Sequence, residues 1–222
     1  MVSAENDPRR PGVFWVFHLD WPTPSGLAPR LPATFVRLGP EAADTLAQAM
    51  GQEDSAEVLR RFEAGRRCYA AQVAGALAAY GWVSFIEEQI GEMRLRVRLV
   101  PGEVYIWDCA TLPAYRKRRL YTALLGHILG ELRAEGLCRA WIGTNQDNVA
   151  SQRGIALAGF QPVADLVVER VLAMRLVWVQ GRPGVPEHIV DAARRVLLGD
   201  RDRAWLAALS SAGQDQTGAS AS

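Results

Sequence analysis

Four consecutive cations, Arg116-Lys117-Arg118-Arg119, follow a strand-like run that ends at Thr111-Leu112-Pro113, and an amphipathic run starts at Leu120. The first turn of a helix presents unpaired backbone N–H groups and a partial positive charge, which makes it an anion site. Arginine adds planar, bidentate donors suited to phosphate oxygens. A solvated basic turn is the plainer reading of such a run. Its place at a strand-to-helix switch favours the other one: residues 103–132 form a strand–turn–helix that holds a phosphate-rich ligand.

Other chemistry is sparser. From Met93 to Leu99 the chain alternates strictly, with Arg94, Arg96 and Arg98 on one face and Leu95, Val97 and Leu99 on the other. This reads as a strand with one wet, basic side, either a solvated face or a wall for an acidic substrate. Cys68, Cys109 and Cys138 lie far apart, and each falls in an apolar run where a free cysteine behaves as a small buried hydrophobe. His18, His127 and His188 have no metal-ligand spacing, and His127 falls on the apolar face of a helix. No metal site is therefore expected. No Walker loop, dinucleotide fingerprint, His-Glu-x-x-His or nucleophile elbow is found.

The 222 residues suit one domain with decorated ends, and 49% hydrophobic with 22% charged residues can bury a real core. A net charge of +1 gives no global field toward nucleic acid or an anionic membrane, so recognition of anions must be local. No apolar run reaches the ~18 residues a membrane span needs. The polar, proline-rich Met1–Gly12 does not read as a signal peptide, and with free cysteines this points to the cytoplasm.

The elements that must position the basic turn follow from periodicity. Phe14–Leu19 and Ala33–Leu38 read as strands. Pro40 opens a helix to Met50, and Asp54 or Ser55 caps another to Ala64. Arg67–Val73 and Leu77–Glu87 form a hairpin through Ala74-Gly75. Glu103–Thr111 is a strand, 120–135 a helix, Cys138–Thr144 a strand, Val149–Ala158 a helix, and Val163–Val179 one or two closing strands. An amphipathic helix follows Pro186, and Asp200 caps a last short one. This order predicts an α/β (α+β) fold with a mixed, mostly antiparallel sheet and helices on both faces. The expected organisation is a tail at 1–12, a domain at 13–180, a helical extension at 181–209 and a tail at 210–222.

Thr111, Pro113, Tyr115 and Arg116 resemble, in register, the Val-x-Pro-x-Tyr-Arg-Gly-x-Gly-x-Gly loop of the GCN5-related N-acetyltransferase (GNAT) superfamily. Asn148-Val-Ala-Ser151, continuing to Ala158-Gly159-Phe160, is similar to that family's Asn-x-x-Ser…Gly-Phe segment. The resemblance covers about residues 33–178. Lys117, Arg119 and Tyr121 depart from it, because they stand where the family has glycines that let the backbone close on a pyrophosphate. Their side chains either narrow the pocket or replace backbone contacts with guanidinium ones.

The resemblance implies acetyl-CoA, or another acyl-CoA, as co-substrate, and direct attack on its thioester by an amine, on a small molecule or on a protein. It implies cofactor binding by Thr111, Leu112, Arg116, Lys117, Arg118, Arg119, Leu120, Tyr121, Asn148 and Ser151. The amine needs a general base. The family's strand glutamate falls at Tyr105 here, and strand parity puts Glu103, Tyr105, Trp107, Cys109 and Thr111 on one face, with Glu103 the nearest carboxylate. The family's tyrosine acid falls at Ile155. Two rivals stand beside this reading: a binding module without catalysis, and an acyltransferase fed by an acyl carrier protein. A homodimer is compatible with these patterns.

Overall fold

The computed structural model describes residues 12–24, 27–90, 95–171 and 174–199, with side chains described outside 168–176. The tails, Met93, Arg94 and Asp200 lie outside the described residues.

In chain order the elements are β1 (Gly12–His18), β2 (Thr34–Leu38), α1 (Ala43–Met50), α2 (Ala56–Glu63), β3 (Arg67–Val73), β4 (Ala76–Ser84), β5 (Glu87–Ile90), β6 (Leu95–Arg98), β7 (Glu103–Thr111), α3 (Leu120–Ala134), β8 (Arg139–Asn145), α4 (Val149–Leu157), β9 (Gln161–Val171) and β10 (Met174–Gly181). A helix over 187–199, α5, follows. Eight strands form one sheet in the order β10-β9-β1-β8-β7-β4-β3-β2, and β5 pairs with β6 in a separate ribbon. Every neighbouring pair in the large sheet is antiparallel except β7 and β8. The mixed, mostly antiparallel sheet matches the expectation.

β1 shows why the fold holds together. Its residues alternate between two faces: Val13, Trp15 and Phe17 enter one core, and Phe14 and Val16 enter the other. It lies between β8 and β9, so the first strand of the chain joins the last two to the middle of the sheet. The first core packs Leu124 and Ile128 of α3 and Ile155 of α4. The opposite face carries α1 and α2, through Leu46 and Val58, and α5, through Val190, Ala193 and Val196. Helices therefore cover both faces.

Some local expectations need correction. Proline at 40 opens a short 3-10 turn, Pro40–Ala42, that runs into α1. Asp54, not Ser55, supplies the capping oxygen at α2, accepting from the Ala56 N–H at 2.9 Å. Cys138 is exposed, while Cys68 is buried. The basic face of β6 belongs to the ribbon, where Arg96 meets Glu87 at 3.4 Å, as a solvated face would. His127 is stacked on Phe35 at 5.4 Å, a packing role.

Candidate active site

β7 and β8 are paired only from Glu103 opposite Arg139 to Ile106 opposite Ile142. Beyond that point each is held by its outer neighbour, β7 by β4 as far as Thr111 and β8 by β1 as far as Asn145. The two parallel strands fork, and the inner edge of Trp107–Thr111 has no strand beside it. An open edge offers backbone donors and acceptors to whatever lies along it.

A bulge marks the fork. Trp82 faces Trp107 and Tyr80 faces Ala110, so Gly81 spans two residues of β7, Asp108 and Cys109. Asp108 has φ 42°, a left-handed conformation costly for a residue with a β-carbon. The extra residue reverses the parity of everything after it. Tyr105 packs in the core beneath α5, whereas Cys109 packs on the α3 side, where its Sγ closes on Gly81. The expected single face for Tyr105, Trp107 and Cys109 is thus broken, and the signal for it, Gly81 beside an aspartate, is faint in a sequence. Asp108 itself is tied to Arg61 of α2, whose guanidinium lies over Trp107 at 4.6 Å.

The turn after β7 keeps the geometry of a glycine loop without the glycines. Lys117 has φ 62° and Arg119 φ 60°, both left-handed, and Arg119 caps the N-terminus of α3. Each such residue costs roughly 1–2 kcal/mol, which the surroundings must offset. Two contacts do so. Arg116 donates from Nε to the Thr111 carbonyl at 3.2 Å, and the Arg30 N–H donates to the Arg118 carbonyl at 2.9 Å. The second ties the N-terminal loop to the turn.

A cavity of about 1010 Å³ opens between this turn, α3 and α4. Of the residues expected to bind a cofactor, Thr111, Arg116, Lys117, Arg118, Arg119, Leu120, Tyr121, Asn148 and Ser151 line it. Leu112 does not; its N–H continues the ladder to the Ala78 carbonyl. Asn148 caps α4, accepting from the Ser151 N–H at 3.0 Å. Arg30, Val149, Arg153 and Leu157 also line the cavity; the last three fall within the Asn148–Phe160 segment, and no local motif announced Arg30.

Tyr121 crosses the space between the two helices. Its hydroxyl accepts from Ser151 Oγ at 3.3 Å, and burial holds the phenol well above its ordinary range. Burial and the Asp108 carboxylate likewise push the Cys109 thiol up, which keeps it a protonated, poor nucleophile.

The residues expected to move the proton are not in this cavity. Glu103 begins β7, eight residues before Thr111 and roughly 25 Å away along an extended strand. It is 5% exposed, and its Oε1 accepts from Arg139 and from Arg195 of α5, both at 2.9 Å. Tyr105 is buried at the fork, its hydroxyl beside Gly143 of β8, and burial raises its titration. Ile155 is fully buried against the first core, so no side-chain acid stands there. Among the described residues no group of three or more His, Cys, Asp or Glu could hold a metal, and no helix is long and apolar enough to cross a membrane.

Residues 35–160 match the model of the acetyltransferase (GNAT) family. No curated protein sequence matches the chain. Its fold is similar to that of a GNAT-family protein from Novosphingobium aromaticivorans, with 22% identity, a TM-score of 0.48, and coverage of 69% of this chain and 60% of that one. It is also similar to a GNAT acetyltransferase from Colwellia psychrerythraea, with 14% identity, a TM-score of 0.50, and coverage of 78% and 56%. A third similar structure is Salmonella typhimurium yncA, solved with its cofactor acetyl-CoA, with 16% identity, a TM-score of 0.47, and coverage of 67% and 92%. The chain spans three fifths or less of the length of the first two.

Proposed function

The chain belongs to the GNAT acetyltransferase family, and from that premise we propose that it transfers an acetyl group from acetyl-CoA to an amine by direct attack. The observation that carries this reading is the left-handed turn at Lys117 and Arg119, which keeps a phosphate-cradling backbone above the cavity. The turn and the first N–H groups of α3 receive the diphosphate, with Lys117, Arg118 and Arg119 adding side-chain charge. The pantetheine arm lies in the fork, along the unpaired edge of Trp107–Thr111, where backbone donors steady the thioester oxygen.

The amine lone pair attacks the carbonyl carbon; the C–N bond forms and the C–S bond breaks, CoA leaves as thiolate, and the proton the nitrogen sheds as the amide forms passes to that thiolate or to water. The ammonium proton must be lost before attack. Of the two residues proposed for this, Tyr105 stands at the fork and holds a water that relays the proton to solvent. Glu103 serves instead as the clamp on Arg139 and Arg195. Cys109, protonated on the α3 side, takes no acyl group. The acceptor, on a small molecule or a protein, approaches from the side of α1 and α2.

A second reading has one observation in its favour: Tyr121 fills the third glycine position with a ring that reaches α4. On that reading the chain binds a CoA-like ligand and does not turn it over. Incubation with acetyl-CoA and a panel of primary amines, followed by release of free thiol, separates the two. Amine-dependent thiol release supports transfer; tight binding with no release on any amine favours the binding module.

A further inference from the structure

Two guanidiniums lie over one indole on the α2 side of the sheet. Arg61 stands 4.6 Å and Arg66 5.7 Å from the Trp107 ring, and Arg61 is also 5.2 Å from that of Trp82. The Trp107 ring is fixed, its N–H donating to Ser84 Oγ at 2.8 Å. Each arginine has a carboxylate partner, and the two partners differ. Glu88 is buried and accepts from Arg66, from Ser84 and from the Gln89 N–H, a closed network with a structural role. Asp108 is exposed and accepts from Arg61 through Oδ2, and among the described residues its Oδ1 accepts nothing.

Asp108 also stands where an acceptor arrives. The bulge turns it toward α2 while Cys109 turns toward α3. It belongs to the open edge of the fork, roughly 10 Å along the strand from Thr111. Its φ of 42° carries a cost that a half-exposed ion pair does not offset by itself. Arg61 is not committed to it, because Nε lies 3.5 Å from Glu57 Oε1, one turn back on α2. The guanidinium can release Asp108 and keep an ion pair. The place it fills, against two indoles and a carboxylate, is a cation site. An ammonium held on a carboxylate keeps its proton and cannot attack, so the cation suited to this place is not the reacting amine.

We propose that Asp108, with Trp82 and Trp107, is a specificity site for an acceptor that carries a second positive charge beside its reacting amine, and that Arg61 is the internal stand-in this charge displaces toward Glu57. This rests on transfer to an amine that arrives from the side of α1 and α2. The acceptor class is then a dicationic amine, its second charge within about 10 Å of the reacting nitrogen. A monoamine leaves Arg61 in place and is the poorer substrate.

Thiol release from acetyl-CoA tests the assignment, with aliphatic diamines from propyl to hexyl each compared with the amino alcohol of the same length. In wild type the best diamine is expected to exceed its amino alcohol in kcat/KM by at least about tenfold, through KM, and the preference should shrink as salt rises. Asp108→Asn, whose amide tolerates the left-handed backbone, should bring the ratio to within about twofold. Arg61→Gln should lower the diamine KM severalfold by removing the competitor. Equal use of both substrates by wild type, a preference indifferent to salt, one that survives in Asp108→Asn, or a diamine KM that Arg61→Gln fails to lower overturns the site and leaves transfer standing. Absence of thiol release with every amine overturns the transfer reading, and this site with it.

Discussion

Tyr121 and Gly154 are fitted to each other across the seam of α3 and α4: a β-carbon at position 154 would lie 2.6 Å from Tyr121 Cδ1. The ring that replaces a glycine in the turn is accommodated by a glycine in the facing helix. Gly154→Ala should therefore destabilise the protein by about 1–2 kcal/mol, overpacking outweighing the gain in helix propensity. In a Tyr121→Ala background the same substitution should be neutral or stabilising, as chemical denaturation would read in a double-mutant cycle.

Arg119 sits at φ 60° and so combines a backbone cost with a useful charge. Arg119→Gly should raise stability by about 1 kcal/mol through relief of the left-handed strain. It should leave acetyl-CoA affinity unchanged or lower. A clear gain in affinity would mean that the side chain obstructs the cavity.

Glu103 joins β7, β8 and α5 through Arg139 and Arg195. Glu103→Gln should cost about 2–3 kcal/mol, below the usual figure for a broken buried pair because both guanidiniums keep some exposure to water. Below the melting temperature, turnover should stay within a few-fold of wild type. A loss of about 10²-fold that shrinks at high pH would instead mark Glu103 as the base.

Burial, with Arg139 second, holds His18 below its usual 6.5, and burial does the same for His127. The unfolded chain then binds protons more readily than the folded one. The histidine contribution should be level above about pH 7 and fall as pH drops below about 6.5 toward the lower folded values. Melting temperatures from pH 8 to pH 5 check this, and His18→Gln should flatten the slope.

Much of this was legible in the chain. The unbroken β-branched and aromatic run Val13–Phe17, the helical spacing of Leu120–Leu132 and the Pro113–Arg116 turn specify their elements locally. What could not be read depends on pairing between distant segments. The Asp108 bulge exists only against Gly81 of β4, and it reverses the parity that placed Cys109 beside Tyr105. Glu103 reads as a free carboxylate until α5 brings Arg195 to it. Arg30 lies in a proline-rich loop with no periodicity, and only a backbone bond to Arg118 reveals its place at the rim.

The central claim is that the turn after Thr111 holds acetyl-CoA, and calorimetric titration of wild type and Arg118→Ala with acetyl-CoA tests it most directly. Arg118 lines the cavity, and among the described residues no side-chain partner holds it. The substitution therefore removes charge without disturbing the turn. The account predicts saturable one-to-one binding to wild type, weakened by roughly 1–3 kcal/mol in the variant, the scale of a lost charge-assisted hydrogen bond. Absence of binding by wild type at millimolar acetyl-CoA, or binding that Arg118→Ala leaves untouched, would contradict it.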